Sequence, residues 1–239
     1  MCSRFAMNIS ADLFTRFFRL TGRPEPDLLH DRYNIAPSQM VPVVRQSAGH
    51  RSVSMLKWGL IPPWAEDPRV GSRMINARME TVFEKPSFQQ PIRMRRCLVP
   101  AVGFYEWVTL QGRKQPMLIR LRSGDPLAFA GIWETWTPQP KQGALFGHNT
   151  TPVETFSILT TTPNSEVAPI HNRMPVTIAP EHFDTWLDTD KQEAHEFGLA
   201  MLPARNGIFK ITPVNPLLNN PRNEGENLWN PPSKPSQST

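Results

Sequence analysis

The run Arg96-Cys97-Leu98-Val99-Pro100-Ala101-Val102-Gly103-Phe104 decides the fold class, together with Gln115-Pro116-Met117-Leu118-Ile119-Arg120-Leu121-Arg122, which follows a turn-rich Gln111-Gly112-Arg113. The first is an almost unbroken apolar run of strand length. In the second, Met117, Ile119 and Leu121 share a face opposite Arg120 and Arg122, the period of two of a strand with one buried side. Outward from this pair, residues 40–45 are short and apolar. Residues 52–58 alternate, with Val53 and Met55 on one side and Leu56 and Trp58 on the other. Residues 127–133 and 155–161 read as buried strands and 207–212 as a late one. Helix signals are fewer. Ser10 caps a predicted helix over residues 11–19, with Leu13, Phe14, Phe17 and Phe18 on one face and Gly22 as its stop. Pro180 starts another through Trp186, and residues 192–199 give a third. Strands and helices do not alternate regularly, which predicts an α+β or mainly β core and not a doubly wound sheet.

Composition agrees. The 239 residues suffice for a sizeable core in one domain or two tight lobes, and 26 prolines favour short strands and turns over a long-helix bundle. A net charge of +5 suggests an anionic partner, nucleic acid first. The two cysteines, Cys2 and Cys97, are too few for a disulfide framework, which points to a reducing cytosol. Cys97 sits in an apolar run and reads as a core thiol. No apolar run approaches a membrane span, and the first twenty residues lack a signal-peptide pattern. Residues 137–152 read as an exposed loop, and the Pro/Ser-rich residues 230–239 as a disordered tail.

The start, Met1-Cys2-Ser3-Arg4-Phe5, carries the sharpest chemical signal. Removal of Met1 would leave Cys2 with a free α-amine and a thiol two carbons apart. That pair condenses with an aldehyde to a Schiff base, and the thiol then closes a five-membered thiazolidine. Ordinary pKa values near 7.8 and 8.5 leave a minority of each group deprotonated at neutral pH, so modest tuning by neighbours is expected to arm both. An ordinary residue at a frayed terminus is the plainer reading of Cys2. Asn76, Arg78 and Glu80 stand at two-residue spacing and share a face if extended. Glu106 lies inside Gly103-Phe104-Tyr105-Glu106-Trp107, where desolvation would raise its pKa and suit it to acid/base work. An edge-strand charge facing water is the alternative. His171 is flanked by apolar residues with Arg173 two positions on, and taken alone reads first as a structural histidine. Trp58-Gly59-Leu60-Ile61-Pro62-Pro63-Trp64 is an aromatic-proline loop able to stack on an unpaired base or to pack in the core. The chain has no HExxH, no zinc-type Cys/His spacing, no phosphate-binding glycine loop and no GxSxG.

Taken in order, Cys2 to Phe5, Tyr33 to Pro37, Trp58 to Trp64, Asn76 to Thr81, Gly103 to Trp107 and His171 to Pro175 resemble the motifs of the SOS-response-associated peptidase family, the abasic-site processing proteins. Asn223 to Leu228 is similar to that family's terminal element. Ser3 stands where glycine is usual, and serine fits there if its φ is negative.

The resemblance implies a single α+β domain over residues 1–229, with a mainly antiparallel β-barrel-like core and peripheral helices. It also implies a groove for single-stranded DNA containing abasic sites. No cofactor or metal is implied, and the chain would work as a cytoplasmic monomer, nucleoid-associated in a bacterium. Carried over by position, Cys2 is the covalent nucleophile through amine and thiol, and Asn76 orients the amine or the sugar. Glu106 shuttles the Schiff-base proton, and His171 assists opening of the deoxyribose ring. Arg4, Arg78 and Arg173 contact phosphates. Trp64 and Thr160 join the DNA-binding surface. Two other classes stand as rivals. One is an amidohydrolase with an N-terminal cysteine nucleophile, although no glutamine-binding Arg-Gly-Pro-Asp loop is found. The other is a passive single-strand binder. A peptidase activity is read as removal of the protein's own Met1.

Overall fold

In a computed structural model, residues 2–110, 112–138 and 151–231 are described. The chain opens with strand β1 (Phe5–Met7), helix α1 (Ala11–Phe17), β2 (Arg32–Ile35), and the hairpin β3 (Met40–Ser47) and β4 (His50–Trp58). A short β5 (Asn76–Arg78) and helix α2 (Pro86–Met94) precede β6 (Arg96–Ala101), β7 (Gly103–Leu110), β8 (Arg113–Leu121) and β9 (Leu127–Trp136). After β10 (Val153–Thr161) come β11 (Met174–Pro175), helices α3 (Phe183–Leu187) and α4 (Ala194–Phe197), and β12 (Phe209–Pro213).

Strands β4, β3, β6, β9 and β10 close on themselves, because β10 pairs with β9 along one edge and with β4 along the other. Closure removes the free edges that an open sheet would expose. The barrel is mixed: β10 runs parallel to β4, matching Thr155 with Lys57, and parallel to β5, matching Thr160 with Arg78. The second sheet, in the order β12-β8-β7-β1-β2, is antiparallel throughout. Its inner face packs on the barrel. Phe5 meets Trp58 edge-on at 5.1 Å and Phe129 at 5.8 Å, and Phe104 meets Phe129 at 6.0 Å.

The run that reads as one strand, residues 96–104, is two. The chain leaves the barrel after Ala101 and enters the second sheet at Gly103. The break is anchored by the Val102 N–H, which donates to Ala6 O at 2.9 Å. A Cβ on Gly103 would sit 2.8 Å from Ile119 O and 2.8 Å from a Leu118 methyl, so only glycine lets β7 start so close to β8. Helix α1 begins at its Ser10 cap as expected but ends at Phe17, and Arg19 takes φ 51. Phe14 and Phe18 are buried while Leu13 is exposed, so the apolar face is narrower than its sequence suggests. The expected helix from Pro180 begins as a 3-10 turn and becomes α3, and only Ala194–Phe197 of the third is α-helical. Helix α2 is unpredicted, because Pro91 inside it masks the pattern. Arg96, 2% exposed, ties these helices to the barrel. It donates to Trp186 O, to Ile92 O and Arg93 O at the end of α2, and to Asp188 O and Lys191 O beyond α3. The expected loop at 137–152 and tail at 230–239 lie mostly outside the described residues. No described helix is long and apolar enough to cross a membrane.

Candidate active site

The second sheet and the rim of the barrel bring four of the expected site residues together. Cys2, just before β1, is fully buried in the core cluster, so the terminus is not frayed at this residue. Its carbonyl accepts a hydrogen bond from Asn76 Nδ2 at 2.8 Å. Its thiol lies 3.9 Å from Arg4 O. Ser3 is not among the residues with positive φ, so serine sits there without backbone strain. Asn76 occupies β5, which exists because its backbone pairs in parallel with Ile158, Leu159 and Thr160 of β10. The other amide atom, Asn76 Oδ1, is buried with no hydrogen-bond partner among the described residues, leaving an acceptor available beside Cys2.

Glu106 is 4% exposed on β7, with Tyr105 and Trp107 turned to the opposite face. The edge-strand alternative therefore fails. Burial pushes its carboxyl above the ordinary range, against the pull of the positive charges on the amino terminus and His171. His171 brings Nδ1 to 4.0 Å from Glu106 Oε1. The same Nδ1 lies 3.0 Å from the Arg173 nitrogen and 3.1 Å from the Arg173 carbonyl, so the backbone two residues on fixes where the ring sits. The imidazole thus lies beside the carboxyl with its orientation set by the 171–173 turn.

The thiol does not behave as expected. Burial, with the nearby charge of Glu106 second, pushes the Cys2 thiol well above its ordinary pKa. Both causes penalise the thiolate, so the neighbours disarm the sulfur as an anion instead of arming it. The group Glu106 favours is a cationic amine or imine on the same residue, since its carboxylate charge is complementary to them.

The predicted DNA contacts separate into three kinds. Arg78 at the end of β5 is exposed, and no ion pair holds it among the described residues. Trp64 is 60% exposed on the Pro-rich loop, whose Ala65 carbonyl accepts Trp136 Nε1 at 2.7 Å. Trp58, by contrast, is a fully buried core residue whose Nε1 donates to Ile75 O at 2.9 Å. Arg173 makes a two-pronged bond to Glu80 at 2.6 and 2.8 Å and also donates to Thr160 O. Glu80 is held below the usual carboxylate range by those bonds. Thr160 is buried beneath Arg173 and supports it from within. Arg4 faces away from this cluster, bonding Asn34 Oδ1 at 2.6 Å and Leu218 O at 3.0 Å. Sequence reading missed Glu80 as the partner of Arg173, although its two-residue spacing from Arg78 marks it as part of the same turn. It also missed Asn34, whose contacts are with residues nearly two hundred positions away. No cluster of three or more metal-ligating side chains occurs among the described residues.

Cys2, its carbonyl held by Asn76 and its thiol within reach of the Glu106 charge, and the neighbouring Glu106–His171 pair form one cluster between the second sheet and the barrel rim. This chain belongs to the SOS response associated peptidase (SRAP) family, whose model matches residues 1–221. It is 36% identical over 234 residues to the abasic site processing protein YoaM of Bacillus subtilis, covering 95% of this chain and 97% of that one. It is 30% identical to the abasic site processing protein HMCES of Gallus gallus, covering 94% of this chain and 76% of the relative. A crystal structure of a protein from Bacteroides thetaiotaomicron superposes with a TM-score of 0.82 at 24% identity, covering 96% of this chain and 99% of that one. That likeness establishes the same fold.

Proposed function

We propose that the protein captures abasic sites in single-stranded DNA by a covalent thiazolidine at Cys2, once Met1 has been removed. Hydrolysis of the Met1–Cys2 amide consumes one water and releases methionine and the free aminothiol. His171 assists opening of the sugar by giving a proton to the ring oxygen as its bond to C1′ breaks, while the C1′ hydroxyl loses its proton to water, which frees the aldehyde. The Cys2 amine adds to that carbon, and Glu106 protonates the departing hydroxyl so that water leaves and an imine remains. Sulfur then adds to the imine carbon, its proton passes to nitrogen, and the thiazolidine ring closes. Because the thiol is buried and held protonated, the amine attacks first and sulfur second. β-Elimination from the same imine would cut the strand, which makes lyase activity the competing outcome.

The observation that carries this reading is the convergence on residue 2. Asn76 grips its carbonyl at 2.8 Å, and Glu106 is close enough for its charge to act on the thiol. Arg78 and Trp64 are assigned to the DNA, a phosphate to the exposed guanidinium and an unstacked base to the indole, while Arg173, bonded to Glu80 and backed by buried Thr160, shapes the surface beside them. The test is incubation of Met1-free protein with abasic and intact single strands, followed by denaturing electrophoresis. A shifted band should form with abasic DNA alone. Cys2→Ala should give no heat-stable band, yet borohydride should trap its imine because the amine remains. A heat-stable adduct from Cys2→Ala at the wild-type level would overturn the assignment.

A further inference from the structure

The segment after β12, residues 214–229, lies across the outer face of the second sheet. Val214, Leu218 and Leu228 pack there with Ala6, Tyr105 and Leu118. Its polar contacts fall on β2, β7, β8 and the residues leading into β1, and those on β7 flank Glu106. Trp229 Nε1 donates to Tyr105 Oη at 2.6 Å, and Trp107 Nε1 donates to Asn219 Oδ1 at 2.7 Å. These are the residues on either side of Glu106 in the chain. Two residues beyond Cys2, Arg4 Nη1 donates to Leu218 O at 3.0 Å and to Asn34 Oδ1 at 2.6 Å. Asn34 is itself fixed to the strap, its Nδ2 donating to Asn220 O at 3.0 Å and Asn223 O at 2.9 Å. The Arg4 carbonyl accepts the Tyr105 N–H at 3.0 Å and lies 3.9 Å from the Cys2 sulfur.

We propose that Arg4 and Asn34 are positioning residues, which use the 214–229 strap to fix the reach from Cys2 to Glu106. The inference rests on the reading of Cys2 as nucleophile and changes the expected role of Arg4. Its guanidinium is committed to two protein oxygens and stands 5.8 Å over the Trp107 ring, with burial depressing its pKa. A phosphate would have to break those bonds to use it. The geometry explains why a guanidinium stands just ahead of β1. Both bonds leave one nitrogen, Nη1, whose two N–H directions are fixed by the planar group, whereas an ammonium on a flexible stem rotates and holds the same two oxygens less rigidly. Small displacements matter because amine, sulfur and carboxyl must all reach one carbon atom, and misplacement by about 1 Å costs about a hundredfold in rate.

The experiment uses protein shown by intact mass to lack Met1. Arg4→Lys, Arg4→Met and Trp107→Phe are compared with wild type well below each variant's melting temperature. The rate constant for adduct formation is measured at saturating abasic single strand, beside affinity and its salt dependence for intact single strand. Both Arg4 variants should lose about tenfold to a hundredfold in the saturating rate constant while affinity and salt slope stay at wild-type values. Trp107→Phe keeps the ring, loses one strap bond, and should lose severalfold in the same constant. Were Arg4 a phosphate contact, Arg4→Met would instead lose affinity and flatten the slope by about 0.7 at an unchanged saturating rate, which overturns the proposal. Wild-type saturating rates in Arg4→Lys and Trp107→Phe would also overturn it. A merely structural role would lower melting temperatures and leave the rate of the folded protein intact, a third refuting result. Wild-type protein that forms no adduct would instead sink the covalent reading, and this inference with it.

Discussion

Replacing Glu106 by glutamine should slow the chemistry and stabilise the protein. The side chain is 4% exposed on β7, and His171 Nδ1 stands 4.0 Å from its Oε1, too far for a direct hydrogen bond. Burial is the leading cause of its raised pKa, so holding Glu106 ionised at neutral pH works against folding. Glutamine keeps the shape and removes the charge. Burial outweighs the charges and the amino-terminal hydrogen bond that pull the other way, so the variant should be more stable than wild type at neutral pH. The sign follows from linkage. A carboxyl whose folded pKa lies above its unfolded one gives its full stabilisation below the unfolded pKa and loses it as pH rises through the folded value. The advantage of Glu106→Gln should therefore be largest near pH 7 and shrink towards about pH 4, where the wild-type side chain is protonated in both states. The chemistry moves oppositely. Loss of a general acid/base typically costs about 10²–10⁴ in rate, equivalent to about 2.7–5.5 kcal/mol of barrier. Urea melts at the two pH values and single-turnover adduct formation on a denaturing gel supply the measurements. A variant less stable than wild type at neutral pH would refute the burial argument. One that reacts at the wild-type rate would refute the acid/base role.

Four further substitutions test other parts of the structure. Arg96→Met strips five buried or half-buried carbonyl oxygens of their donor and should cost about 3–5 kcal/mol in urea unfolding. A loss below about 1 kcal/mol would show that those carbonyls find other partners. Gly59→Ala places a Cβ 2.6 Å from Gly71 O at φ +124, and should destabilise by about 1–3 kcal/mol, read as a lower melting temperature. Arg78→Ala should weaken single-strand binding and flatten the log–log salt slope by about 0.7, whereas Trp64→Ala should weaken it by about 1–3 kcal/mol at an unchanged slope. Equal salt slopes for Arg78→Ala and wild type would remove Arg78 from the phosphate contacts.

Most strands of the barrel are legible from composition and period, because one or both faces of each are buried. The apolar run at 155–161 falls inside β10, and in the second sheet the alternation at 115–122 overlaps β8 as far as Leu121. Barrel closure is not legible, since it depends on Lys57 meeting Thr155 in parallel, and no local pattern encodes that pairing. The crossing between sheets at Val102 is hidden for a similar reason: its two halves are equally apolar, and only the contact of Gly103 with β8 separates them. At the site, motif residues mark Cys2, Asn76, Glu106 and His171, and the fold brings them together. Their tuning is less readable. The Cys2 thiol goes up instead of down because it is buried beside a carboxylate, which depends on how β1 lies against β7. Arg4 and Arg173 look alike as basic residues in motifs, but one meets the strap and the other meets Glu80.

The central claim is that the free amine of Cys2, and not its sulfur alone, makes the bond to DNA. Two forms of the protein should be prepared, one shown by intact-mass spectrometry to lack Met1 and one in which an uncleaved N-terminal extension retains it. Each is then mixed with abasic single-stranded DNA, and the denatured products are weighed and digested. The Met1-free form should give a heat-stable adduct on residue 2, and the other should bind single strands without any such adduct. A stable cross-link formed with equal efficiency by the chain that keeps Met1 would contradict it.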